Sequence, residues 1–343
     1  MTCHRVPLRL LLGFLCWILL PAAWSADRVR MIVAGSERSA GAQIARDIAK
    51  HVARPADLEL EVRYSTGSPD TLLRLRESSG LQFAVLQADV AEAYLGAAAR
   101  GNIEAGEFFA PIRGIAPLHD EEIHFIVRSD SPLNFVHEIE TSRINLGPPR
   151  GGTALTVATL YRLMFDAAIP DQQTSFLSHP DALVKLTEKT LDVVVLVAPQ
   201  PVRLLADMTS EARRFVKLLK FDANHPATER LLRIYSATKI PAANYPNLLN
   251  EDLPALAVRN YLVSHGRNDA LMARFAESWC QNLPRLRAEQ TPALNGLELA
   301  LPPLASGWRY SRPFERELRA CADGKHAPLE SCSQEERALG LCG

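Results

Sequence analysis

The chain has 343 residues, 38 of them basic and 39 acidic, giving a formal charge of −1, with 47% apolar and 22% charged side chains. This near-neutral balance offers no electrostatic footprint for nucleic acid, and the ordinary apolar content excludes a disordered or fibrous chain. A chain this long outgrows a single hydrophobic core, so two domains or lobes are expected.

The N-terminus carries Arg5 and Arg9, an apolar run over residues 10–20, and a small-residue stretch containing Ala23-Trp24-Ser25. The run is too short to span a bilayer, and the small residues after it resemble a cleavage site. Residues 1–26 are therefore expected to be a signal peptide, with the mature chain starting after Ser25 or Ala26 in the periplasm. Leu15 before Cys16 speaks against lipid attachment, which needs a small residue there. Removal of the segment takes Cys3 and Cys16 with it and leaves Cys280, Cys321, Cys332 and Cys342. An even number in an oxidising compartment favours two disulfides stapling the tail to the body through Cys280. All three pairings remain open, and the absence of a Cys-x-x-Cys pair argues against zinc.

From Val29 onward, short apolar runs alternate with helix-period segments, the pattern of an α/β fold with a largely parallel sheet. Residues 29–34 read as a strand. Ile44, Ile48 and Val52, with Ala45 and Ala49, form one apolar helix stripe. Leu58, Leu60, Val62 and Tyr64 alternate with charged residues, as in a strand buried on one face. Ser68-Pro69-Asp70 should start a helix with Ser68 as its cap. Further strands are expected at residues 83–86, 124–127, 144–146 and 193–197, with a helix capped by Thr153 running to about residue 168. Leu271, Phe275, Trp279 and Leu283 stack at four-residue spacing before Pro284, which should disturb the helix.

Three strand-to-helix junctions combine hydroxyls, glycines and a helix start: Gly35-Ser36 to Gly41, Ser65-Thr66-Gly67-Ser68, and Gly147-Pro148-Pro149-Arg150-Gly151-Gly152-Thr153. First-turn N–H groups lack partners within the helix and the helix start is partly positive, so such junctions suit a carboxylate or phosphate. Gln87 and Asp89 follow the strand at 83–86, and Pro199-Gln200-Pro201 follows the one at 193–197; both lie at the strand ends where open α/β sheets place ligands. Structural roles are equally open to them, Gln87 satisfying loop backbone and Asp89 capping the next helix.

Ser65-Thr66-Gly67-Ser68, then Phe83-Ala84-Val85-Leu86-Gln87-Ala88-Asp89-Val90, the Gly147-Pro148-Pro149 loop ending in Gly152-Thr153, Ile240-Pro241 with Tyr245-Pro246, and Glu251-Asp252-Leu253-Pro254-Ala255-Leu256-Ala257-Val258 occur in that order. As an ordered set they resemble the TAXI-family solute receptors of TRAP-type transporters, over about residues 29–285. The resemblance implies a two-lobed periplasmic-binding-protein type II fold with hinge strands, lobe one being residues 27–118 plus 236–343 and lobe two residues 119–235. It also implies capture of a dicarboxylate or an amino acid such as glutamate, delivered to a membrane permease, with no cofactor, metal or catalysis. The same fold could instead serve a membrane sensor kinase.

The chain departs from the family pattern in two loops. Gln43 stands where a tyrosine is usual, Ser36, Glu37 and Arg38 replace a glycine-rich run, and Arg150 replaces a glycine. Arginine offers a planar fork to a carboxylate, which would suit a more polar ligand. The expected ligand residues are Ser36, Arg38, Gln43, Ser65–Ser68, Gln87, Arg150, Gly151, Gly152, Thr153, Pro199 and Gln200. The cluster His119-Asp120-Glu121-Glu122-Ile123-His124 mixes metal-ligand types, but its place at the expected lobe crossing favours a structural role over an enzyme site.

Overall fold

Residues 29–79, 82–288, 301–304 and 307–322 are described by the structure, a computed structural model. The expected signal segment, Cys332 and Cys342 lie outside the described residues.

The first lobe is built from β1 (Val29–Ala34), α1 (Ala40–Ile48), β2 (Glu59–Tyr64), α2 (Ser68–Glu77), β3 (Gln82–Gln87), α3 (Ala88–Ala99) and α4 (Ile103–Phe109). Helix α1 starts where Ser39 Oγ accepts the Ala42 N–H at 3.1 Å, and its Ile44, Ala45 and Ile48 are buried. Strands β2, β1 and β3 lie side by side in parallel. On β2, Leu60 is buried between exposed Glu59 and Glu61, while β3, in the sheet interior, is buried throughout. This is the difference expected between an edge strand and a strand covered on both faces.

The chain then enters the 16-residue β4 (Arg113–Arg128), much longer than the four-residue run its apolar pattern indicates. Next come β5 (Ile144–Asn145), α5 (Gly152–Phe165), β6 (Thr174–Ser175), α6 (His179–Thr187), β7 (Val193–Ala198), α7 (Arg203–Ala206), β8 (Val216–Leu218) and β9 (Ser236–Ile240). The 13-residue β10 (Leu253–His265) returns antiparallel to β3 and β4, and α8 (Asp269–Ala288) and α9 (Arg312–Ala322) close the described chain.

Two strands thus run through both halves of one continuous sheet, ordered β2-β1-β3-β10-β4-β7-β5-β6. On β4, Ile115, Ala116 and Leu118 pack with Phe83, Phe275 and Trp279, whereas Ile123, Phe125 and Val127 pack with Val157, Tyr161 and Val195. On β10, Leu256 and Val258 join the second group, and Tyr261, Leu262 and Val263 join the first lobe's two core faces. The crossing falls at residues 119–122 and 259–260. Ile240, Tyr245, Leu248 and Leu253 pack with Ile126, Leu186 and Val194 of the second lobe. The packing therefore changes lobe near residue 260, later than the boundary at 236 that the resemblance implies.

Pro284 does not break its helix. Helix α8 runs for 20 residues with Pro284 inside it. Its Phe275, Trp279, Leu283 and Leu286 are buried, and burial at roughly 1.5–3 kcal/mol per large side chain outweighs the ~3 kcal/mol cost of an interior proline. Helix α9 packs on α8, and a disulfide joins Cys280 to Cys321. Among the described residues no helix is long and apolar enough to cross a membrane.

Candidate ligand cleft between the lobes

The cleft begins with two glycine loops that meet. Gly67 precedes α2 in the first lobe and Gly151 precedes α5 in the second, each as the helix N-cap with no side-chain hydrogen bond. Gly67 has φ +152°, and a Cβ there would overlap the Gly152 backbone nitrogen and lie 3.0 Å from the Gly151 carbonyl carbon. A Cβ on Gly152 would lie 2.6 Å from Gln87 Oε1. Backbone contact therefore requires glycine at Gly67, whereas at Gly152 it is the Gln87 side chain that a Cβ would displace. Two helix N-termini, each partly positive, are brought together with their first-turn N–H groups uncapped by side chains.

Ser68 and Thr153 are not the caps that the sequence pattern indicates. Ser68 opens α2 and its Oγ accepts the Gln87 N–H at 3.3 Å, while Thr153 lies one residue inside α5. Ser65 is buried, and its hydroxyl bonds the Ala34 carbonyl at 2.9 Å and Thr71 Oγ1 at 2.6 Å. Thr66 is exposed, and its N–H donates to Asp70 Oδ2 at 3.0 Å. Partial burial pushes the Asp70 carboxyl up, but this bond and the Arg74 guanidinium outweigh it and leave it below the usual value.

Arg150 is exposed and holds φ +63°, the left-handed region that disfavours a side chain. That conformation accounts for why glycine suits this loop position. Gln43 does not serve the cleft: its Nε2 donates to Asp47 Oδ1 at 3.0 Å and its Oε1 accepts from Arg46 Nη2 at 2.8 Å, both on its own helix α1 or the turn before its end. Ser36 and Arg38 sit exposed in the loop before α1, whose capping hydroxyl is Ser39.

Below the lips, the three carboxylates of β4 at the crossing are each matched across elements, while the buried ring nitrogens of His119 make no hydrogen bond. Gln87 Nε2 donates to Glu121 Oε2 at 2.8 Å. The Gln200 N–H and Nε2 donate to the two Glu122 oxygens, each at 3.0 Å, and Gln200 Oε1 accepts from Asn244. Pro199 is half-buried beside it at the end of β7. Burial raises the Glu122 carboxyl, with Gln200 opposing. Asp120 takes a two-pronged contact from Arg259, at 2.7 and 2.8 Å. His124 Nε2 lies 2.9 Å from the Tyr245 hydroxyl, and burial lowers its imidazole to about 4. The mixed cluster at residues 119–124 is thus a set of structural contacts. Among the described residues, no three His, Cys, Asp or Glu side chains gather as a metal site would require.

Asp89 is the functional-looking residue whose role sequence pattern misses. It lies in the first turn of α3 without capping it, is fully buried, and receives the Tyr235 hydroxyl from the second lobe at 3.1 Å. Burial raises its carboxyl to about 6, opposed by the Thr156 and Tyr235 side chains and assisted by Glu121. The only sequence cue is an acid beside a fully apolar strand; its partner lies 146 residues away.

A family model described as NMT1-like matches residues 37–288. The chain belongs to the NMT1-like family. No curated protein matches it in sequence. Among solved structures, this NMT1-like chain is similar to the periplasmic binding protein BugD, with 11% identity, 92% of this chain and 98% of that one covered, and a TM-score of 0.47. It is also similar to the arginine-, lysine-, histidine-binding protein ArtJ from Geobacillus stearothermophilus, with 11% identity, 77% and 93% covered, and a TM-score of 0.43. A histidine kinase sensor domain with similarity to periplasmic binding proteins aligns at 14% identity, 79% and 98% covered, with a TM-score of 0.44. The two α/β lobes and their paired crossing strands give the NMT1-like chain the two-lobed periplasmic-binding-protein fold.

Proposed function

We propose that this chain is an exported solute-binding protein that closes on a small organic anion, a dicarboxylate or an amino acid such as glutamate, and hands it to a TRAP-type permease. The observation carrying this reading is the meeting of two uncapped helix N-termini at Gly67 and Gly151. Like-signed helix ends repel, and an anion held by their N–H groups would stabilise both. Arg150, beside the second end, would supply a charge-assisted bond. Lobe one would comprise residues 27–118 and the segment after about 260, lobe two the stretch between. The ordered TAXI-like motifs support the TRAP partner, and the signal-like N-terminus supports the periplasm. Ligand would act by shifting an open–closed equilibrium, with no bond made or broken.

The stapled α9, a departure from a plain receptor, favours a second reading in which the closed form reports to a membrane sensor kinase. A thermal-shift screen on ligand-stripped protein tests the binding claim. A ligand at 100 times its dissociation constant should add about 2.7 kcal/mol of stability. Carboxylates should shift the melt and neutral sugars should not; a screen in which no anion shifts it overturns the reading.

A further inference from the structure

Away from the glycine lips, a cavity of about 350 Å³ opens along the seam between α3 and α5. Ala93 comes from α3 of the first lobe, Leu155, Ala158 and Arg162 from α5, and Leu146 and Ile169 from the second lobe's loops and strands. Its volume is at the small end of ligand pockets, and its walls are mostly apolar. The polar lining residues are Thr159, Thr174 and Arg162, of which Arg162 alone carries a charge. Its buried Nη2 makes no hydrogen bond, and its nearest carboxylate oxygen, Glu92 Oε1, is 3.9 Å away. Burial and the neighbouring Arg100 both disfavour its charge, while Glu92 and Asp166 only partly compensate. A cationic fork with an idle donor at the edge of an apolar wall matches a carboxylate carrying a short hydrocarbon body.

We infer that this cavity is a second ligand site, separate from the glycine lips, that takes a medium-chain or aromatic monocarboxylate, with the carboxylate on Arg162 and the apolar body against Leu146, Leu155 and Ile169. Ala93 on α3 of one lobe and α5 on the other both touch the occupant, so it bridges the two lobes.

The test is calorimetric titration of the mature protein with octanoate and, as a neutral counterpart, octanol. Octanoate should bind at least tenfold more tightly than octanol. Arg162→Gln should weaken octanoate at least tenfold and leave octanol unchanged, Arg162→Lys should recover part of the loss, and Ala158→Phe should abolish both by filling the cavity. Circular dichroism melts verify that each variant folds, and Ala158→Phe carries the test alone if Arg162→Gln does not. Absence of octanoate binding, equal binding of acid and alcohol, or unchanged octanoate binding in Ala158→Phe would each overturn the assignment.

Discussion

In the first lobe, an aromatic wall of Phe83, Phe275 and Trp279 receives Phe314 of the last described helix, which is tied to the body through Cys280 and Cys321. The second lobe, between the crossings of β4 and β10, contains no cysteine and buries polar pairs such as His124 with Tyr245 instead. The two devices respond to different variables. A covalent link acts by restricting the unfolded chain and is indifferent to proton concentration, whereas a buried titratable pair acts through the folded state and depends on it.

The sharpest way to break this comparison is reduction of the disulfide. Its ends are 41 residues apart in sequence. On the chain-entropy account, opening it should cost about 4 kcal/mol. The melt should fall on the order of several degrees, and amide exchange should quicken in α8 and α9 while β7 keeps its protection. Equal loss of protection in β7 would show that the lobes do not respond separately.

Acid should act on the other device and on the seam with opposite signs. The Asp89 carboxyl is raised from 3.8 to about 6, so the stability its protonation contributes is present at low pH and is lost as pH rises through 6. His124 is lowered from 6.5 to about 4, so its contribution is present above 6.5 and is lost as pH falls through 4. Each is worth about 3 kcal/mol at most, and they oppose each other between pH 4 and 6. Urea melts at pH 4.5 and 6.5 should therefore show Asp89→Asn more acid-sensitive than the parent and His124→Gln less so. Parallel pH curves for all three proteins would remove both groups from the balance.

Smaller effects are expected at the lips. Gly67→Ala places a methyl group into the Gly152 backbone and should cost the closed state about 1–3 kcal/mol, read as a larger radius in solution scattering with ligand present. An unchanged radius would mean that the lips yield. Arg150→Gly removes a side chain from a left-handed residue, so folding stability should hold or rise by up to about 1 kcal/mol while anion affinity falls. A drop in stability without a change in affinity would make Arg150 a packing residue.

The same contrast marks what the residue pattern could reveal. Local devices were legible: the alternation of β2, the stripe of α1 and the start of α2 all follow from neighbours within a few positions. The full length of β4 was not, because Pro117 and the polar run at residues 119–122 interrupt the apolar signal. The carboxylates Asp120, Glu121 and Glu122 are tolerated because Arg259, Gln87 and Gln200 meet them, the first of these 139 residues from Asp120. Ser65 reads as a ligand hydroxyl, yet Ala34 and Thr71 use it, and only the neighbouring β1 and α2 reveal that. Conversely, the pattern reads Gly67 as a ligand-loop glycine, while the steric reason for it, its close approach to the Gly151-Gly152 backbone across the seam, depends on how the two lobes sit together.

The pairing of β10 with β4 slips between Arg259 and Tyr261, where the crossing lies. A ladder in perfect register resists torsion along its whole length; one with a slip has a soft point. Here that point is braced by Arg259 on Asp120, and under the proposed opening and closing of the lobes it is where a few degrees of twist would become a wide gape at the tips, as at the pivot of a pair of tweezers.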